Sequence, residues 1–212
     1  MPAPRRPTEF VLAAVILSGG ESRRMGSPKA LIPFRGKTFL QHLLDAARSP
    51  QVSPVLVVLG PHADQIRKEV AIDPVNVVIN QDWQLGQLSS IQAAIRALQA
   101  RESVDGMMLF LVDHPLISAE LVGQLAGEFY RTRKAIVLPT FRGKRGHPVI
   151  FSQELFDELL AAPLDQGARV VVWNHADDVL EVPTEEEGTV MNLNDPEVLR
   201  KALGATAEGS QS

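Results

Sequence analysis

The stretch FVLAAVILSGGESRRMGSPK, residues 10–29, joins a continuous apolar run to a loop rich in glycine and cations. A run without polar alternation predicts a β-strand that is buried on both faces, as in a parallel sheet. Glycines directly after such a strand let backbone N–H groups approach a polyanion, and cations neutralise its charge. Residues 18–37 contain one acidic residue, Glu21, and five basic residues: Arg23, Arg24, Lys29, Arg35 and Lys37. The stretch predicts a phosphate-binding loop, with a solvated surface turn as the alternative interpretation.

Apolar runs and amphipathic segments alternate up to residue 138. The apolar runs predict strands at 10–17, 55–59, 75–79, 107–112 and 135–138. Helical spacing of apolar residues predicts helices at 38–48, 62–70, 89–100 and 121–130. This alternation favours an α/β fold, a Rossmann-like, doubly wound and mostly parallel sheet with helices on both faces. Ligands of such sheets bind beyond the carboxyl ends of the strands.

The pattern changes after Pro139. A segment rich in Gly, Arg and Lys leads to a short strand at 149–151, which predicts a small β-hairpin extension. Helices are expected at 153–161 and 167–174, a strand at 178–182, and a last helix that begins with Pro196. The segment 185–188 is interpreted as a solvated acidic turn with no other role. We expect one domain at 10–203, with flexible segments at 1–9 and 204–212.

Composition excludes several classes of function. The 212 residues include no cysteine, which rules out disulfides, thiolate zinc sites and cysteine nucleophiles. A net charge of -4 argues against broad binding to nucleic acid or to anionic membranes. The apolar run at 10–17 is too short to span a bilayer. We therefore expect a cytoplasmic protein without nucleic-acid or membrane partners.

The loop matches neither of two common nucleotide-binding patterns. No Gly-Lys-Ser/Thr closes it as in a Walker A loop, and the Gly-x-Gly-x-x-Gly of dinucleotide-binding folds is absent. Its order Leu-x-Gly-Gly-x-Ser-x-Arg-Met-Gly-x-x-Lys resembles the opening signature of the molybdenum cofactor nucleotidyltransferases. That resemblance implies a Rossmann-like core of the glycosyltransferase-A type. It also implies that the triphosphate binds to the loop residues Leu17, Ser18, Gly19 and Gly20.

The same resemblance implies catalytic roles for Lys29, Arg24 and Asp113. Lys29 would contact the α- and β-phosphates of the nucleotide, and Arg24 would hold the departing pyrophosphate. Asp113 follows a predicted buried strand, where an aspartate either stabilises a turn or ligates a hard cation. In the family the matching aspartate binds Mg²⁺, and Asn194 is our candidate for the second ligand. His114 stands where the family more often has Met, and we interpret it as a polar loop residue without catalytic work.

A second segment resembles the family region that reads the base and opens a helix. It contains Asn80, Gly86, Ser89 and Ser90. Capping of the helix is the alternative interpretation for one serine. Two serines beside a glycine favour contact with the nucleotide.

Gly-x-x-Gly-His-Pro at 143–148 resembles the cytidylyltransferase branch of the family. The predicted acceptor-binding residues are Lys144, Arg145, Gly146, His147, Pro148, Asp165 and Arg169. A tight hairpin with a structural histidine is the alternative at 143–148, and a capped helix start is the alternative at 165–169.

The resemblance implies Mg²⁺-dependent transfer of a nucleotide from CTP to the terminal phosphate of the molybdopterin cofactor, with release of pyrophosphate. Gly-Gly at 19–20 is closer to the guanylyl branch, so GTP stays open as the donor. Another phosphorylated acceptor is also an alternative, and a molybdoenzyme or chaperone is a possible partner. A nucleotide-binding accessory protein without catalysis is the alternative of a different class.

Overall fold

The computed structural model describes residues 11–21, 27–101 and 104–204. Its main sheet has eight strands, seven of them in the order β10-β7-β9-β6-β1-β4-β5, with β8 paired to β7. The strands of this sheet are β1 (Leu12–Ser18), β4 (Val52–Leu59), β5 (Val77–Ile79), β6 (Gly106–Leu111), β7 (Ile136–Phe141), β8 (Lys144–Arg145), β9 (Val149–Ser152) and β10 (Val179–Pro183). Two short strands, β2 (Pro33–Phe34) and β3 (Lys37–Thr38), form a separate antiparallel pair.

Helices cover both faces of the main sheet. They are α1 (Phe39–Ala46), α2 (Ala63–Glu69), α3 (Gln87–Gln99), α4 (Ala119–Thr132), α5 (Phe156–Ala161), α6 (Arg169–Asn174) and α7 (Pro196–Gly204). Alternate residues of β1 belong to two apolar clusters, one packed on α1, α2 and α4 and the other on α3, α5 and α6. Every residue of β1 is therefore buried, which explains its continuous apolar run. The predicted fold class is confirmed.

The course of the chain creates a switch point beside β1. From β1 the chain adds β4 and β5 in parallel on one side, and it then returns to place β6 in parallel on the other side. Leu17 pairs with Leu111, so the residues that follow β1 and β6 leave the sheet side by side. A ligand-binding crevice is expected at such a point.

Two expectations for the second half of the chain need correction. Pro139 does not end a strand, because β7 continues through it to Phe141 and its carbonyl accepts from Gly146 N at 2.9 Å. The segment 185–188 is more than a solvated turn. The carboxylate of Glu186 accepts hydrogen bonds from Ser118 Oγ at 2.5 Å and Ser118 N at 3.2 Å, which fixes this turn to the start of α4.

Most element boundaries fall within about two residues of those predicted. Thr38 precedes α1 as part of a capping box with Gln41, and Pro196 begins α7 as expected. None of the described helices combines the length and the apolar character that crossing a membrane requires. The predicted flexible segments lie almost wholly outside the described residues.

Candidate active site

A cleft of about 520 Å³ opens at the carboxyl ends of β1 and β6. We call it the loop cleft. It is lined by Leu17, Ser18, Gly19, Gly20, Glu21, Lys29, Trp83, Gly86, Gln87, Ser90, Leu111, Val112, Asp113 and Asn194. Most of the residues predicted for nucleotide and metal binding therefore meet at the switch point of the sheet.

Lys29, Asp113 and Asn194 form the charged centre of the loop cleft. Lys29 Nζ lies 3.3 Å from Asp113 Oδ2 and also donates to Asn194 Oδ1. The side chains of Lys29 and Asp113 are 24% and 14% exposed, so this ion pair is only partly screened by water. The ammonium group is placed to meet a phosphate that enters the cleft.

Asn194 reaches this centre through the backbone of its neighbour. Leu193 is fully buried, and its N–H donates to the Asp113 carbonyl at 2.8 Å. Asn192 Nδ2 also donates to Asp113 Oδ2 at 3.3 Å. Beyond them, Asp195 Oδ1 accepts from Glu197 N at 2.7 Å and so caps the start of α7. The chain before α7 is thus anchored to the end of β6.

The glycines of the loop permit close packing. A Cβ on Gly19 would lie 2.7 Å from Ser90 Oγ, and a Cβ on Gly60 would lie 2.2 Å from the Gly19 carbonyl oxygen. The Gly60 contact is with backbone, so a side chain there would displace the loop, whereas a Cβ on Gly19 would require the Ser90 hydroxyl to rotate away. Arg24, with residues 22–26, lies outside the described residues, and its predicted contact with pyrophosphate stays a prediction.

Asn80 and Ser89 lie behind the loop cleft. Asn80 is 4% exposed and donates to Ser89 Oγ at 2.8 Å and Ser90 Oγ at 2.9 Å. Ser89 Oγ hydrogen-bonds the carbonyls of Gly86 and Asp82 at 2.7 and 2.9 Å. The capping alternative is wrong for these serines, because α3 begins at Gln87 without a side-chain cap. Only Ser90 and Gly86 of the predicted base-reading set line the cleft, and Asn80 supports them from within.

A second cleft of about 540 Å³ lies on the α3 side of the sheet. We call it the hairpin cleft, because part of its wall follows the β7–β8 hairpin. Gln87 lines both clefts. The predicted acceptor residues that line it are Arg145, Gly146, His147, Asp165 and Arg169. Lys144 and Pro148 do not belong to its lining.

The two alternatives for these acceptor segments have different outcomes. The hairpin is present, with Arg142 and Gly143 both at positive φ in its turn. The capped helix start predicted at 165–169 is absent, since Ala168 precedes α6 without a side-chain hydrogen bond to the helix. Arg145 Nε donates to Glu181 Oε1 at 2.8 Å, which holds the arginine toward β10.

His114 is buried and packs on His147, which is half-buried and lines the hairpin cleft. Their ring centroids lie 5.1 Å apart, and His114 Nε2 lies 3.9 Å from Asp113 Oδ1. Burial, and then the neighbouring His114 ring, lowers the pKa of His147 to about 4. Burial also lowers the pKa of His114, so both rings are neutral at pH 7. His114 lies in the loop between β6 and α4, as interpreted, but it is only 6% exposed and packs on His147.

Each cleft also contains a tryptophan that was not among the predicted site residues. Trp83 lines the loop cleft and Trp173 lines the hairpin cleft. Trp83 lies between Asn80 and Gly86 in the sequence. An aromatic residue within the predicted base-reading segment could therefore have been predicted to contact the nucleotide. Trp173 had no comparable signal in the sequence.

The charged centre fits a hard divalent cation bound together with a nucleotide. Asp113 Oδ2 and Asn194 Oδ1 are hard oxygen donors, and both already contact one cationic group, Lys29 Nζ. Within the described ranges no cluster of three or more His, Cys, Asp or Glu residues is arranged to hold a metal. Two protein oxygens are enough for a divalent cation that takes its remaining ligands from phosphates and water.

Residues 14–179 match the family model of the MobA-like NTP transferase domain. The match covers the chain from β1 to the start of β10, which is well over half of it. The chain therefore belongs to this family and is a nucleotidyltransferase, as the motif order predicted.

Several curated proteins and solved structures are similar to this chain. Nicotine blue oxidoreductase from Paenarthrobacter nicotinovorans is 28% identical over 166 residues, 75% of this chain and 80% of that protein. The bifunctional protein GlmU from Pseudomonas entomophila is 32% identical over 138 residues, 64% of this chain but only 29% of GlmU. The crystal structure of Rv0371c from Mycobacterium tuberculosis superposes with a TM-score of 0.80 and 26% identity, covering 93% and 99% of the two chains. A further structure of that mycobacterial protein is a complex with manganese.

Proposed function

We propose that this nucleotidyltransferase moves CMP from CTP to the terminal phosphate of a molybdopterin-type acceptor and releases pyrophosphate. The observation that carries the proposal is the pair of clefts that meet at Gln87. One has a glycine loop and a lysine for a triphosphate, and the other has arginine, histidine and aspartate side chains for a second substrate. Gly146-His147-Pro148, the element of the cytidylyl branch, supports CTP as the donor.

The reaction requires positioning and charge stabilisation more than a dedicated base. A terminal phosphate oxygen of the acceptor attacks the α-phosphorus of CTP, and the bond between the α-phosphorus and the bridging oxygen breaks. The attacking phosphate is already ionised at neutral pH. Lys29 stabilises the charge that builds up on the nucleotide phosphates, and the loop backbone from Ser18 to Gly20 holds the triphosphate.

Asp113 and Asn194 would hold Mg²⁺ against the phosphates. The bound ion would neutralise phosphate charge as the transition state forms. Lys29 Nζ contacts the same two oxygens, so it lies beside the position that the ion would take.

The test is pyrophosphate release from each nucleoside triphosphate in the presence of Mg²⁺, with and without molybdopterin. The expected result is release from CTP that depends on molybdopterin. Preference for GTP would overturn the assignment of the base while leaving the class of reaction intact. Tight nucleotide binding without transfer to any phosphorylated acceptor would instead identify an accessory binding protein.

A further inference from the structure

Trp173 and Leu164 are exposed apolar side chains inside the hairpin cleft. Trp173 is 61% exposed and Leu164 is 39% exposed, and both line its concave wall. Leaving an indole in water forfeits the free energy of its burial, so an exposed tryptophan within a cleft marks a binding surface. The exposed apolar residues Val75, Ile79 and Val198 lie outside both clefts and have no such setting.

Arg169 extends this surface. It lies one helical turn before Trp173 on α6, and its guanidinium carbon lies 5.4 Å from the centroid of the indole. Arg169 forms no ion pair with any residue that the structure describes. A planar cation against an indole presents a flat surface with positive charge at its edge.

The rest of the cleft supplies an apolar floor and polar edges. The floor is formed by Leu109, Leu138, Val149 and Phe151. At the edges lie the exposed carboxylate of Asp165 and the ring of His147, whose buried Nδ1 has no hydrogen-bond partner among the described residues. A flat conjugated ring would cover the indole with its whole face while its polar rim reaches Asp165, whereas a small phosphate ester without a ring would leave the indole uncovered.

We infer that the hairpin cleft recognises a flat, conjugated heterocycle that stacks on Trp173, with an anionic substituent beside Arg169. This inference rests on the proposed function, since it makes the heterocycle the part of the acceptor that determines specificity. Trp173 is then a binding residue for the acceptor. The nucleotide base would occupy the loop cleft, near Trp83.

The two tryptophans of the chain allow a direct test, because each cleft contains one. The Trp83→Phe variant reports on Trp173 alone. In this variant, 6-carboxypterin should quench the fluorescence saturably without any nucleotide, and glycerol phosphate should not. Stacking on an aromatic residue predicts that Trp173→Leu weakens pterin binding about ten-fold in equilibrium dialysis. Trp173→Phe should lose less, because it retains a ring.

Several outcomes would overturn the inference. Normal pterin binding by Trp173→Leu is one, and equal competition by glycerol phosphate is another. A third is a Trp173→Leu variant that changes the oligomeric state of the protein but not its affinity for pterin. Trp173 would then be a protein contact. Because the side chain is exposed, the variant should fold normally, which its circular dichroism checks.

The failure of this inference is distinguishable from failure of the proposed function. If the wild type transfers CMP to molybdopterin while Trp173→Leu binds pterin normally, only the stacking inference is wrong. If pterin binds through Trp173 but no triphosphate releases pyrophosphate, stacking holds and the proposed transfer is wrong.

Discussion

The loop cleft and the hairpin cleft obtain their binding groups in different ways. The loop cleft uses the carboxyl ends of two adjacent parallel strands, where a glycine-rich backbone, Lys29 and Asp113 meet. The hairpin cleft uses side chains from antiparallel strands and from the short helix α6. Backbone groups and one charged centre suit phosphates, which every nucleoside triphosphate shares. Side chains on hairpins and short helices suit a specific ring. This difference is why we propose that the nucleotide binds in the loop cleft and the acceptor in the hairpin cleft.

The largest effect should come from the charged centre of the loop cleft. Asp113→Asn removes the carboxylate that faces Lys29 and that would hold Mg²⁺, and we expect pyrophosphate release to fall about 1000-fold. Binding of 6-carboxypterin in the hairpin cleft should not change. The control Asp178→Asn removes a surface carboxylate that pairs with Lys134 at 3.2 Å and should retain full activity. Equal losses in both variants would refute a special role for Asp113.

The second-largest effect should be a loss of protein stability at low pH, caused by His147 in the hairpin cleft. The pKa of His147 is about 4 in the folded protein, below its ordinary value of 6.5. Its contribution to stability is therefore present above pH 6.5 and is lost as the pH falls from 6.5 toward 4. This loss amounts to roughly 3 kcal/mol. In urea unfolding, the free energy of unfolding of His147→Gln should decrease correspondingly less than that of the wild type over this pH range. An equal decrease in the two proteins would contradict the low pKa of His147.

Lys29 should matter somewhat less than Asp113. We expect Lys29→Met to lower kcat for CMP transfer about 100-fold, because one charge on the nucleotide phosphates would lose its partner. The control Lys37→Met removes an exposed lysine that pairs with Asp45 outside the cleft. The measurement is the kcat of both variants in a steady-state assay at saturating Mg²⁺. If the two variants behave alike, the lysine contributes only general positive charge.

The smallest effect tests how the loop is held. Gly60→Ala places a Cβ against the Gly19 carbonyl, so the loop must shift. We expect the KM for CTP to rise about ten-fold, with the affinity for 6-carboxypterin unchanged. Gly123→Ala is the matched control, because a Cβ there meets nothing within 4 Å and favours α4. An unaltered KM in Gly60→Ala would mean that the loop adapts without cost.

Much of the fold was predictable because its signals are local. A strand buried on both faces must be apolar throughout, so residues 10–17 and 107–112 identified the centre of the sheet. Glycines and cations directly after β1 indicated a phosphate site. The course of β7 through Pro139 was not predictable, because pairing with the hairpin, as in the bond from Gly146 N to the Pro139 carbonyl, depends on distant residues.

The sequence by itself determined the class of fold, the glycine-rich loop after β1 and the identity of the residues at the charged centre. Only the tertiary structure decided how they are used. It brought Asn194 to Lys29 across 165 positions, turned Asn80 inward and paired His114 with His147. It also left Trp173 uncovered inside a cleft. The physical reason is that apolar periodicity records burial, whereas the distance between remote side chains follows from strand order and packing.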